Sequence, residues 1–171
     1  MEVIRVMIVK SSKYLISSVL LLVFLFLCVS CAADPALKGS VVKVTDGDTI
    51  VLLINNQEQR IRLNGIDCPE RGQAFGTVAR SFVGDLVFSK EVRVVSEGLD
   101  RYQRVLGWVY LEDGRCLNHE LLKAGLAWHY KDYNSDPDLA AMEVSAKAAK
   151  KGLWVDPHPI PPWEYRRNRR N

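Results

Sequence analysis

The chain has 171 residues, of which 48% are hydrophobic and 25% charged, proportions that suit one small globular domain with accessory ends. The formal charge is +3, but of 23 basic and 20 acidic residues three and one lie in the first 13 positions, leaving 20 against 19. Arg166, Arg167, Arg169 and Arg170 crowd the last six positions, so the body of the chain is slightly acidic; this excludes nucleic-acid binding by bulk charge and leaves any phosphate chemistry to a local site.

Residues 1–33 have the order of a secretory signal. Arg5, Lys10 and Lys13 precede an apolar run from Leu15 to Val29, and Ser30-Cys31-Ala32-Ala33 closes it with small residues. The run falls short of the roughly 20 residues that span a bilayer, which sets a membrane anchor behind export. Cys28-Val29-Ser30-Cys31 also has the form of a lipobox, cut before Cys31 with that cysteine lipidated. Cys28 stands where Leu is usual, so cleavage near Ala33 with a soluble product stays open. The expected location is exported, either as a cell-envelope lipoprotein or as a secreted or periplasmic protein.

A linker over residues 34–39 leads to a domain over 40–155. Gly39 to Thr45 is β-branched and strand-like, and Asp46-Gly47 suits the positive φ angles of a tight hairpin turn. Asp48 to Ile54 forms a second strand, Asn55-Asn56 a second turn, and Gln59 to Ile66 a third strand. From Phe75, Val78, Ala79, Phe82, Val83, Leu86 and Val87 recur at helical spacing and predict an amphipathic helix. Glu91 to Val95 and Val105 to Leu111 predict strands four and five across the polar turn Glu97 to Arg104. Asn118 can cap a short helix that stops before Gly125, and Asp136-Pro137 opens another that runs to Lys151. Five strands with three helices, one after the third strand and the others after the fifth, suit an α+β, mainly β, Greek-key barrel of the oligonucleotide/oligosaccharide-binding (OB) type. Residues 156–171 are expected to be a proline-rich extended segment followed by a mobile basic tail.

Charge collects where strand patterning does not require it. Asp48 opens the second predicted strand and Asp67 closes the third, so a hairpin brings both carboxylates to one end, as a hard cation requires. Pro69 fixes the chain just beyond and holds Glu70 nearby, while the planar fork of Arg62 suits phosphate oxygens. Phosphodiester hydrolysis needs this mixture: a cation on the phosphoryl oxygen, a base for water, and donors for the charge that develops. Taken singly, Asp48, Asp67 and Glu70 each read by default as a solvated loop-end carboxylate, and it is their combined spacing that points to a site; Asp46-Gly47 is read as a turn only.

Lys43-Val44-Thr45-Asp46-Gly47-Asp48-Thr49, Arg62 through Glu70, and Asp100 through Gly107 resemble the three signature segments of the staphylococcal nuclease (thermonuclease) family. Asn118 to Trp128 and Lys151-Gly152-Leu153-Trp154 resemble its later structural segments. The resemblance implies a monomeric OB-fold enzyme that uses one calcium ion to cleave the 5′-oxygen bond of DNA and RNA, preferably single-stranded or unstructured, leaving 3′-phosphate ends. It implies that Asp48, Asp67 and the backbone carbonyl of Cys68 hold calcium, and that Arg62, Glu70 and Arg104 are catalytic. Glu70 would then orient or deprotonate the attacking water, with Arg62 and Arg104 on the phosphate. Arg101 and Tyr102 match positions that seat a terminal phosphate, a plain turn role being equally compatible. Tyr133 either stacks a base or serves as a core or rim aromatic. Cys68 departs from the Thr of the best-known member, which leaves a backbone ligand unaffected. The competing reading is a non-catalytic OB-fold module that binds nucleic acid, in which one or more of those five charged side chains is expected to be missing.

Other patterns fall away. His119-Glu120 starts like a zinc-protease helix, yet Lys123 stands where the second histidine belongs. Asp46-Gly47-Asp48 begins like an EF-hand loop, but Ile50 replaces its third oxygen ligand. His129 and His158 read as surface residues. Export would leave Cys68 and Cys116 as the one pair inside the domain; an oxidising compartment favours a bridge, provided their α-carbons come within roughly 7 Å.

Overall fold

A computed structural model describes residues 36–170. The expected export signal and the lipidation of Cys31 lie outside the described residues. Five strands close a barrel: β1 (Leu37–Asp46), β2 (Thr49–Ile54), β3 (Gln57–Leu63), β5 (Glu91–Leu99) and β6 (Val105–Tyr110). Around the barrel the order is β1-β2-β3-β6-β5, with β5 returning to β1. The β3–β6 pair is parallel and the other pairs are antiparallel. The expected OB-type barrel is therefore present.

Period-two alternation builds it. Val92 and Val94 of β5 and Val105 and Val109 of β6 point inward, where they meet Val41, Ile50, Leu52, Ile61 and Leu63. Two irregularities in β1, between Val41 and Lys43 and between Val44 and Asp46, bend that strand as a small barrel demands. Helix α1 (Gly76–Val87) lays Ala79, Val83 and Val87 on the core, at the spacing the sequence predicts.

Several expectations need correction. Asn55 and Asn56 take the positive φ angles of a type I′ turn, 49° and 62°, but neither Asp46 nor Gly47 has a positive φ. Gly47 is instead demanded by space. A Cβ there would lie 2.8 Å from the Cβ atoms of both Ala79 and Cys68. Gly47→Ala should therefore destabilise by about 1–3 kcal/mol through overpacking, read as a lower urea midpoint; an unchanged midpoint would show that α1 can retreat freely.

Strand three ends at Leu63 rather than Ile66. Gly65, at φ 73°, turns the chain, and Ile66–Asp67 forms a separate two-residue strand, β4, paired with β7 (Trp128–His129). The predicted fourth strand, β5, runs on from Val95 to Leu99 and leaves Asp100 to Arg104 as the turn. Asn118 does not cap its helix. Helix α2 (Leu117–Lys123) is preceded by Cys116, and the fully buried Asn118 amide accepts from Val109 N and donates to the carbonyls of Asn64 and Gly107. It thus ties α2 to the barrel end.

Helix α3 (Pro137–Ala148) starts as expected, with the Asp136 carboxylate accepting from Asp138 N, but it stops before Lys151. Its Glu143, 1% exposed, accepts from His129 N and lies 3.1 and 3.0 Å from the Lys131 and Lys147 ammonium groups. Burial alone would raise the pKa of that carboxyl, but Lys147 and Lys131 outweigh it and hold it below the usual range. Glu143 thereby anchors β7, and through β7 the strand that carries Asp67. His129 is buried, contrary to the surface placement read from sequence, whereas His158 is exposed.

The boundaries also move. Residues 37–39 belong to β1 rather than to a linker, and a 3₁₀ turn (Gly152–Val155) is followed by a fourth helix, α4 (Pro162–Asn168). Among the described residues there are thus four α-helices rather than three. The chain end expected to be mobile is folded against the domain: Trp163 stacks on Tyr130 with ring centroids 5.5 Å apart and 4° between planes. Cys68 and Cys116 are both buried and both free, so the two do not form the disulfide that an oxidising compartment would favour.

Candidate active site

Three turns at one end of the barrel supply the site. The β1–β2 turn carries Asp48, the short strand β4 carries Asp67 and leads into Cys68-Pro69-Glu70, and the β5–β6 turn carries Arg104. Arg62 projects from β3 between the first two. Its Nη2 lies 3.1 Å from Asp48 Oδ2 and 2.9 Å from Asp67 Oδ1, while Nη1 donates to the carbonyls of Leu63 and Ile66. The expected meeting of Asp48 and Asp67 is therefore present, although a separate strand, not a continuous hairpin, delivers Asp67. Four of the Arg62 contacts are internal, so most of its fork organises the acids; only Nε–H is left uncommitted for a phosphate.

Asp48 is held from its other side as well. Its Oδ2 accepts from Cys68 N at 2.8 Å, and its Oδ1 accepts from Thr49 Oγ1 at 3.2 Å. Asp46 Oδ1 in turn receives Asp48 N at 3.3 Å, which places a third carboxyl beside the pair. Burial, followed by the repulsion of Asp48, pushes the Asp46 carboxyl up to about 7. Burial likewise raises Asp67, aided by Asp48 and opposed by Arg166 and Arg62. Burial and the nearby Asp48 thus disfavour the charged forms of Asp46 and Asp67, a cost that a divalent cation bound between the acids would offset.

Among the described residues, no three His, Cys, Asp or Glu side chains are grouped to hold a metal. Asp48 and Asp67 could supply two carboxylate ligands, and the remaining ones would be backbone carbonyls and water, a donor set suited to calcium or magnesium rather than zinc. Burial drives the Cys68 thiol well above its ordinary pKa, reinforced by Asp48, so it stays protonated and leaves only its backbone oxygen as a candidate ligand.

Arg104 is set by Asp100, a neighbour in the same signature segment to which the sequence assigns no role. The Asp100 carboxylate accepts from Arg104 Nε and Nη2, both at 2.7 Å, and from the backbone N–H groups of Tyr102 and Arg104. The available signal was an aspartate opening a polar turn, where its carboxylate can accept from the N–H groups that follow. Arg104 Nη1 reaches 3.4 Å from Thr49 Oγ1, linking this turn to the Asp48 turn. Arg101 and Arg104 flank the 60%-exposed ring of Tyr102, with guanidinium carbons 4.8 and 5.5 Å from its centroid. Tyr133, 75% exposed, packs against Tyr130 as a rim aromatic on the β7 side.

One residue the sequence did not single out stands in the middle of the site. Arg166 of α4 places Nη1 3.2 Å from Asp67 Oδ1 and 2.6 Å from Glu70 Oε1, and Nη2 2.8 Å from Asp67 Oδ2. Nothing in a run of four terminal arginines signals that one of them turns inward.

Residues 60–156 match the family described as staphylococcal nuclease homologue. An uncharacterized endonuclease of Escherichia coli is 42% identical over 146 residues, covering 85% of this chain and 94% of that protein. A protein named micrococcal nuclease in Shigella flexneri is 39% identical over 172 residues, covering 95% of this chain and 98% of its own length. An uncharacterized endonuclease of Haemophilus influenzae is 40% identical over 156 residues, covering 91% and 85%.

Proposed function

As a member of the staphylococcal nuclease family this chain is a nuclease, and we propose that it is a calcium-dependent one, exported from the cell, that hydrolyses DNA and RNA to products with 3′-phosphate ends. The supporting observation is the convergence of Asp48 and Asp67 on Arg62 Nη2, with Glu70 and Arg104 alongside. Calcium, held by Asp48, Asp67 and the Cys68 carbonyl, would supply positive charge to the phosphoryl oxygens and to the attacking water.

The chain's own groups divide the remaining work. Glu70, on a loop fixed by its N–H donating to Gln73 Oε1, is the base that takes the proton of water. Arg104, held by Asp100, presents its remaining donors to the phosphate as charge builds on it. Arg62 keeps the two aspartates together and offers its last N–H to the same phosphate. Arg101, Tyr102 and Tyr133 seat the flanking nucleotides, preferably of unpaired strands whose bases can reach an aromatic face. The alternative of a non-catalytic binding module loses ground because all five charged positions are filled.

Incubation with single-stranded DNA and calcium, with and without a chelator, tests this directly, and products whose 5′ ends take kinase label directly but whose 3′ ends are extended by terminal transferase only after phosphatase treatment would identify the 3′-phosphate. Asp48→Asn should raise the calcium concentration needed for half-maximal activity, and part of its defect should recover at higher calcium. Activity that a chelator leaves intact, or an Asp48→Asn defect indifferent to calcium, would remove the metal from this reading.

A further inference from the structure

We infer that Arg166 is a positioning residue of the active site, a third guanidinium that aims the Glu70 carboxylate by holding one of its oxygens and clamping it to Asp67. This inference rests on the assignment of Glu70 as the base. The geometry separates the two oxygens of Glu70. Oε1 accepts from Arg166 Nη1 at 2.6 Å, whereas Oε2 has no hydrogen-bond partner among the described residues and, on a side chain 35% exposed, is free to meet a water. A carboxylate tethered through one oxygen to a rigid fork loses the rotation that would otherwise spread its basic lone pairs over many directions.

The clamp is itself anchored. Both Arg166 nitrogens bind Asp67, whose side chain is 1% exposed and fixed from the other face by Arg62, so the guanidinium plane is set by a buried group. Helix α4 and the chain leading into it are seated beside the same region. Pro162, buried at the first turn, pre-sets the helical φ. Trp163 stacks on Tyr130, just beyond β7, and meets edge-on at 5.6 Å Trp128, the β7 residue that pairs with Asp67. Gln73 uses its two ends to join Glu70 to the incoming chain: Oε1 accepts from Glu70 N at 3.0 Å and Nε2 donates to Ile160 O at 2.6 Å. Arg167, Arg169 and Arg170 stay exposed, and only Arg166 of that cluster turns inward. An ordinary surface ion pair contributes little and needs no such seating.

The test compares wild type, Arg166→Gln, Arg166→Lys and Glu70→Gln with single-stranded DNA. Arg166→Gln should lower kcat by roughly 10- to 100-fold at saturating calcium, the usual range for losing a group that orients a reacting one, with KM for DNA little changed. Arg166→Lys, which can hold Glu70 or Asp67 but not both in one plane, should recover part of that loss. Affinity for an oligonucleotide in calcium-free buffer, read by fluorescence anisotropy, should stay at the wild-type level, and the circular-dichroism spectrum should stay that of the folded protein, with a lower melting temperature because Asp67 loses one of its two counter-ions. In a Glu70→Gln background the Arg166→Gln change should add nothing to the defect, since the two act as one unit. Turnover of Arg166→Gln equal to or above wild type would overturn the inference and mark Arg166 as a counter-ion that cations displace. Loss of oligonucleotide affinity with kcat unchanged would overturn it too, by making Arg166 a phosphate contact. If Glu70→Gln is inactive while Arg166→Gln is normal, only this inference fails; if Glu70→Gln is itself active, the underlying assignment fails.

Discussion

Glu70→Gln is expected to lower turnover on single-stranded DNA by on the order of 100- to 10,000-fold, the span that removal of a general base produces. Glutamine keeps the length and planarity of the side chain, and its amide oxygen can still accept from Arg166 Nη1, so the loop and the α4 contact should persist. What disappears is the anionic oxygen that takes a proton. Because the Glu70 backbone is held by Gln73 and by the rigid Pro69, and because the side chain is part-exposed, the melting temperature should stay close to wild type. The measurement is initial rate against DNA concentration at saturating calcium, with calcium affinity followed separately so that a binding defect is not mistaken for a chemical one. Near wild-type turnover under those conditions would show that Glu70 is not the base, and another group would have to activate the water.

The barrel was legible from sequence because its signals are local. Strands alternate in period two, Asn55-Asn56 makes a turn by its own backbone preference, and α1 shows Ala79, Val83 and Val87 at one-turn intervals. The candidate acids and arginines of the site were legible for a different reason: they fall in three segments near strand ends whose resemblance to a family implied roles for them. What escaped depended on contacts across the chain. Asn118 sits before an apolar run and reads as a cap, yet the barrel end needs a partner for Val109 N and for two carbonyls, and the amide is spent there. His129 looked like a surface residue because nothing near it in sequence reveals that Glu143, 14 positions on, closes over its backbone. The chain end was misread most fully. Four arginines beside prolines have the composition of a solvated tail, but Trp163 finds Tyr130 and turns that tail into a helix. Its inward arginine then reaches two of the acids that the sequence had already marked.

Arg104→Lys should be nearly as damaging as loss of the base, with turnover down by roughly 100- to 1,000-fold, the cost of removing one well-placed donor to developing charge. Net charge is the same in both proteins, so the difference isolates geometry. In the wild type Asp100 engages Nε and Nη2, which fixes the guanidinium plane and leaves Nη1, 3.4 Å from Thr49 Oγ1, pointing toward the turn that carries Asp48. The fork can hold Asp100 and a phosphate at once. A lysine ammonium is a single point that is shorter by the span of the fork; it can pair with Asp100 or approach the phosphate, and the anchored carboxylate will usually win. Asp100→Asn provides the complementary case: the guanidinium remains while its anchor weakens, so the loss should be about 10-fold, typical of an outer group that orients an inner one. Steady-state kinetics with all three proteins should thus rank wild type, Asp100→Asn and Arg104→Lys in falling order of kcat. If Arg104→Lys kept wild-type kcat and raised only KM, Arg104 would be binding substrate and transition state equally, and the stabilisation of developing charge would have to come from elsewhere in the site.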